Sequence, residues 1–140
     1  MIIHTAAEGI TLAKKLENES ARFYEEMAKQ FPQNAGAFLS FAAENRKFIS
    51  QIERAYYGVI TDAIEGCFAF NLESDSYNLE TAVPTDARAA LDRAVKIEET
   101  IVRFYTEAAE QSGSLMADVP RSFSLIARKR EGRIAKLKSL

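Results

Sequence analysis

The sequence predicts an all-α fold, four helices in a bundle with one long crossover between the second and the third. Three observations carry the prediction. Apolar residues recur at helical spacing in four stretches, and the three prolines fall only between those stretches. In addition, eighteen residues of the first helix, 13–30, return as 94–111 of the third with nine identities. A helical hairpin that occurs twice, joined by a crossover, is an internally repeated bundle.

The elements follow in order. Thr5 with Glu8 is a capping-box pattern that opens the first helix. Its inner stripe is Ile10, Ala13, Leu16, Ser20, Phe23, Met27 and Phe31, and only Ser20 is polar. Pro32 ends it, and Asn34 is the expected N-cap of the second helix. That helix carries Phe38, Phe41, Ala42, Phe48, Ile49 and Ile52 on one side, with Gly58 expected as its left-handed terminator.

Residues 58–83 break the period. They hold Asp62, Glu65, Glu73, Asp75 and Glu80 with no Lys or Arg, a charge of −5. Phe68, Phe70, Leu72, Tyr77 and Leu79 argue against a solvated linker, so this acidic crossover packs on the bundle or reaches a second subunit. The third helix starts after Pro84, capped by Thr85 or Asp86, and runs to about Gln111 before a turn at Ser112, Gly113 and Ser114. The fourth begins near Pro120. The last twenty residues hold seven basic side chains against the single Glu131, and Gly132 in mid-helix marks close packing or a kink.

Composition bounds the chemistry. The 140 residues are 47% hydrophobic and 27% charged with a net charge of −2, which is one ordinary globular domain spanning 1–140. One His and one Cys exclude a zinc finger, a disulfide framework and a multi-histidine metal centre. Cys67 has no His beside it and reads as a small apolar contact. No apolar stretch is long enough to span a bilayer and no signal pattern opens the chain, so a cytoplasmic protein without membrane contact is expected.

Glu17 and Glu98 occupy matching positions of the repeat, on the faces that carry Ala13, Ser20, Tyr24 and Met27, and Ala94, Ile101, Tyr105 and Ala108. A carboxylate on an inner stripe costs several kcal/mol unless it is paired or bound to a cation. A repeat-related pair of them points to burial with a partner, whereas a single one would sit at the stripe's edge and reach solvent.

Glu17 with Phe23 and Tyr24, Glu98 with Phe104 and Tyr105, and the segments 41–49 and 126–134 resemble the rubrerythrin branch of the ferritin-like di-iron carboxylate proteins. The resemblance covers all four helices and leaves out the crossover. It implies a site built from one Glu on each of two helices and a Glu-x-x-His pair on each of the other two. Glu17 and Glu98 keep the lone-Glu positions, but the pairs fall on Asn45 with Phe48 and on Arg130 with Arg133. His4 stands thirteen residues before Glu17, about 20 Å along a helix, and is expected on the surface.

Arg130 lies on the stripe Phe123, Ile126, Arg130, Ile134 and Leu137, with Arg133 three residues on. We therefore expect a vestigial site in which Arg130 and Arg133 pair with Glu17 and Glu98 in place of metal; the opposing reading sends both arginines to a solvated basic face. The expected function is a non-catalytic, structural or regulatory homo-oligomer, plausibly a homodimer, with no cofactor and no metal; if any metal binds, Glu17 and Glu98 hold it. The alternative is an iron-binding oxidoreductase in which Glu19, Glu44 or Glu99 shifts in as a ligand. A third reading is a basic-helix module that takes an anionic partner through Arg128, Lys129 and Arg130; nucleic acid is not expected, because the run has no interleaved aromatics.

Overall fold

In the computed structural model, which describes residues 1–58, 68–112 and 118–140, four long helices form two hairpins packed on each other. In chain order the elements are β1 (Ile2–Thr5), α1 (Ala6–Gln30), α2 (Ala35–Tyr57), β2 (Phe68–Glu73), α3 (Ala87–Ser112) and α4 (Val119–Ser139). α1 pairs with α2 and α3 with α4; the hairpins meet through α1 with α3 and α2 with α4. No described helix is long and apolar enough to cross a membrane.

Local chemistry sets the helix ends. The Thr5 hydroxyl accepts the Glu8 N–H at 3.1 Å, and a Glu8 carboxylate oxygen accepts the N–H groups of Thr5 and His4 at 3.0 and 3.2 Å, which closes the capping box. Those backbone bonds hold the Glu8 carboxyl below its usual range. Asp86, rather than Thr85, caps α3 by accepting the Ala89 N–H at 2.9 Å. Two expected caps are corrected. Asn34 makes no side-chain cap because a 3₁₀ turn over Pro32–Asn34 already leads into α2. Gly58 keeps a helical φ of −70° instead of the left-handed conformation.

The repeated hairpin period does not reveal the sheet. Four residues ahead of α1 pair antiparallel with β2, Ile2 facing Glu73 and Ile3 facing Leu72. β2 is held down by Phe70, whose ring lies against Gly9 of α1; a Cβ there would stand 2.2 Å from the Phe70 ring. The outer edge of β2 is covered by Gln111 of α3, whose side-chain oxygen accepts the Asn71 N–H at 2.7 Å. Beyond β2, Tyr77 packs edge-on to Phe104 and donates to Glu107 at 3.0 Å. The described part of the crossover therefore lies on the four-helix body, tied down again where Gln30 donates to the Pro84 carbonyl at 2.6 Å.

Smaller expectations resolve as follows. His4 is half-buried, its ring stacked on Phe68 at 4.8 Å, so it is not a plain surface residue. Gly132 does not mark close packing among the described residues, since a Cβ there would have none of their heavy atoms within 4 Å, and α4 runs through it unbroken. Cys67, Asp62, Glu65, Gly113 and Ser114 lie outside the described residues.

A buried carboxylate and guanidinium network as candidate functional site

Glu17 on α1, Asn45 and Phe48 on α2, Glu98 on α3, and Arg130 and Arg133 on α4 meet in the interior where the four helices face one another. Arg133 is 2% exposed, and the other five are fully buried. Helical spacing makes this possible. Glu17 lies on the stripe of Ala13, Ser20 and Tyr24, all buried, and Arg130 on that of Phe123, Ile126 and Leu137. The solvated-face reading of the two arginines is therefore excluded.

Arg130 is the centre. Its Nη2 donates to Glu17 Oε1 at 2.6 Å and its Nη1 to Glu98 Oε2 at 2.6 Å, so one guanidinium spans the two repeat-related carboxylates. Nη2 also lies 3.2 Å from the Ser20 hydroxyl and from Asn45 Oδ1. The planar fork of Arg fits this task, and a Lys would offer neither its spread nor its fixed geometry. Arg133 donates to Asn45 Oδ1 at 2.7 Å, to Glu98 Oε1 at 3.2 Å and to Glu44, whose side chain is 40% exposed. Arg133 sits 4.7 Å above the Phe41 ring and 5.6 Å above that of Phe48, so Phe48 and its neighbours pack the faces of the guanidinium.

Two tyrosines complete the network. Tyr105 donates to Glu17 Oε2 at 2.5 Å and Tyr24 to Glu98 Oε1 at 2.6 Å, so each half of the repeat supplies the phenol for the other half's carboxylate. Asn45 Nδ2 donates to the Ser20 hydroxyl at 2.7 Å. Only the Nε atoms of Arg130 and Arg133 lack a partner among the buried side-chain atoms of the described residues. Two buried carboxylates and two buried guanidiniums balance in charge, which is the condition for carrying ions into a low-dielectric interior.

The carboxylates are not equivalent. Burial raises the Glu17 carboxyl and outweighs the single guanidinium of Arg130 and the Tyr105 bond that pull it down. Burial acts on Glu98 as well, but Arg130 and Arg133 together overcome it and hold this carboxyl below its ordinary range. Burial pushes both phenols far up, helped by the facing carboxylates, so Tyr24 and Tyr105 remain donors. For Arg130 burial works against the charge, yet Glu17 and Glu98 win and keep it cationic.

The residues present do not fit an iron pair. Both carboxylates already accept from guanidinium, and a cation between them would face two fixed positive charges at hydrogen-bond range. The shifted ligands of the alternative reading do not converge either. Glu19 pairs with Lys15 on the surface, Glu99 is exposed, and Glu44 is held by Arg133. Among the described residues no three of His, Cys, Asp and Glu gather as a metal ligand set. The basic-run reading changes as well, because Arg130 turns inward while Arg128 and Lys129 just before it are exposed.

Sequence reasoning gave Tyr24 and Tyr105 no hydrogen-bonding role and offered Glu44 only as a shifted metal ligand, not as a partner of Arg133. The signal for the tyrosines was present, since both repeats carry Phe followed by Tyr, and a hydroxyl repeated on an inner stripe needs an acceptor. No protein-family model matches the chain, and no curated protein or solved structure matches it significantly.

Proposed function

We propose that this chain is a metal-free, non-catalytic member of the ferritin-like, rubrerythrin-like group, acting as a structural or regulatory homo-oligomer. In this reading the six inner residues are a vestigial di-iron site, and guanidinium charge from α4 stands where metal charge would be. The observation that carries it is Arg130, fully buried and bonded at 2.6 Å to both Glu17 and Glu98. A network so closed offers no reactive atom to a substrate, and its tyrosines and carboxylates are already engaged with one another. The pseudo-repeat and the long connection between hairpins agree with the same ancestry.

The test is metal content measured by mass spectrometry on protein grown with added iron, together with its visible spectrum. We expect substoichiometric iron and no oxo-bridged absorption; one or two irons per chain would overturn the proposal. A reconstruction tests the ancestry separately. A variant carrying Asn45→Glu, Phe48→His, Arg130→Glu and Arg133→His is expected to bind cobalt(II) with a visible spectrum where the parent does not. A variant that keeps its helical circular dichroism yet binds no cobalt would count against a ferritin-like origin. Sedimentation equilibrium tests self-association, and a monomer at all concentrations would remove the oligomer from the reading.

A further inference from the structure

The surface charge of this protein is unevenly satisfied. Cations of α1 and α3 mostly sit within 4.0 Å of a carboxylate, as Lys14 does with Glu53 and Arg103 with Glu107. Lys47 and Arg54 of α2 and Lys129 and Lys136 of α4 are exposed, and among the described residues none of them has such a partner. These four share one seam. Glu44 reaches Arg133 across it, the Lys129 ammonium stands 5.8 Å from the Phe48 ring, and Arg54 lines one cavity with Ser122 and Leu125. Those contacts make α2 and α4 antiparallel, so Lys47 falls level with Lys129, Arg54 lies toward one end and Lys136 toward the other. The row runs for about 20 Å, from the level of Ser122 to Lys136 at 1.5 Å per residue. Glu44 is the carboxylate on this stripe of α2, and Arg133 already engages it.

Gly132 adds an independent observation. It sits between Lys129 and Lys136, about one turn from each, in the interior of a helix where glycine is disfavoured relative to alanine. Among the described residues nothing approaches it: a Cβ would have no neighbouring heavy atom within 4 Å. Internal packing therefore does not require a glycine there, whereas close approach of another backbone would.

We propose that the α2–α4 seam is a docking groove for an acidic amphipathic helix of a partner protein, laid along Gly132 between Lys47, Lys129 and Lys136. The spacing suits a helix. Lys129 and Lys136 are seven residues apart, about 10 Å, the separation of carboxylates at i and i+7 on a facing helix. Leu125, 40% exposed in the same row, gives such a helix an apolar contact that a nucleic-acid backbone would leave uncovered. Four cations on a chain of net charge −2 also fall short of the six or more phosphate contacts typical of a nucleic-acid site, a count of about 6–10. This inference takes only the position of the seam from Phe48 and Arg133 and does not rest on the reading of the vestigial site.

The probe is a fluorescein-labelled helical peptide of about 20 residues, enough for about 30 Å of helix. It carries Glu at heptad spacing beside a Leu and Ala face, and binding is read by fluorescence anisotropy at rising salt. We expect saturable binding that weakens with salt and is lost when every Glu of the peptide is replaced by Gln. Lys47→Glu together with Lys129→Glu is expected to weaken it about tenfold or more. Gly132→Leu is expected to weaken it with no change of charge, while Lys96→Glu, at an exposed lysine on α3, leaves it unchanged. Circular dichroism and urea curves on each variant establish that it is folded. No saturable binding, equal loss with Lys96→Glu, full binding by Gly132→Leu, or displacement by single-stranded DNA or phosphatidylserine vesicles at lower concentration would each overturn the proposal.

Discussion

The Tyr105 phenol of one repeat donates to Glu17 of the other at 2.5 Å, and its counterpart Tyr24 donates to Glu98 at 2.6 Å. The two bonds are reciprocal across the repeat, so the halves are joined by polar chemistry at the same level where Arg130 spans both carboxylates. Three features then act as one unit: the phenols fix the carboxylates, the carboxylates fix Arg130, and Asn45 fixes Arg133.

Removing one phenol exposes the value of that reciprocity. Tyr105→Phe leaves Glu17 Oε2 without its donor, and Tyr24→Phe leaves Glu98 Oε1 with only the longer 3.2 Å bond from Arg133. Each is expected to cost about 1.5–3 kcal/mol, the range for a hydrogen bond to a charged group. Urea unfolding of the two single variants and the double variant measures it. A loss of a few tenths would mean that the bonds are not formed in solution.

Arg130→Met strands Glu17 without a guanidinium, leaves Glu98 to Arg133 alone, and is expected to cost about 3–5 kcal/mol. Replacing Glu17 and Glu98 by Gln in the same chain removes the stranded charges, and stability should return in part. If the triple variant is no more stable than Arg130→Met alone, the loss comes from packing and the electrostatic account is wrong.

The inequality of the carboxylates gives opposite pH dependences. The Glu98 carboxyl is lower in the folded chain than its ordinary 4.5, so its stabilisation is present above that value and lost as pH falls through the folded pKa. The Glu17 carboxyl is raised, so its contribution is present below 4.5 and lost as pH rises through the folded pKa. Subtracting the stability-against-pH curve of Glu98→Gln from that of the parent should leave a difference that shrinks toward acid. The same subtraction for Glu17→Gln should leave a slope of opposite sign, and two slopes of one sign would contradict the assignment.

Two glycines in helices should respond in opposite directions to alanine. Gly9→Ala forces a Cβ to within 2.2 Å of the Phe70 ring, and either the ring or β2 must move. The expected cost is about 1–3 kcal/mol, the range for overpacking. Gly132→Ala meets nothing among the described residues and should stabilise by about 0.5–1 kcal/mol through helix propensity. Thermal melts of both variants give the comparison, and a stabilised Gly9→Ala would show that Phe70 does not lie on α1.

Much of this was legible in the chain because it depends on local spacing. Periodic apolar residues set four helices, Thr5 with Glu8 wrote the first cap, and the repeat brought Glu17 and Glu98 into equivalent places before any coordinates. The apolar period of the fourth helix put Arg130 on the stripe of Phe123 and Ile126, with Arg133 three residues on. What spacing cannot encode is pairing between distant segments. The strand ahead of α1 finds β2 some 65 residues on, a match no helical period announces.

The sequence by itself determined which helix faces are buried and put two carboxylates on inner stripes, while leaving two arginines to face either inward or solvent. Only the tertiary structure decided who pairs with whom: Arg130 with both carboxylates, Arg133 with Glu98, Asn45 and the half-exposed Glu44, and each tyrosine with the opposite repeat. The physical reason is that burial is a property of a single position on a helix, read from its period. A buried ion's partner is a property of distance across four packed helices, and its energy changes steeply over an ångström or two in a low dielectric.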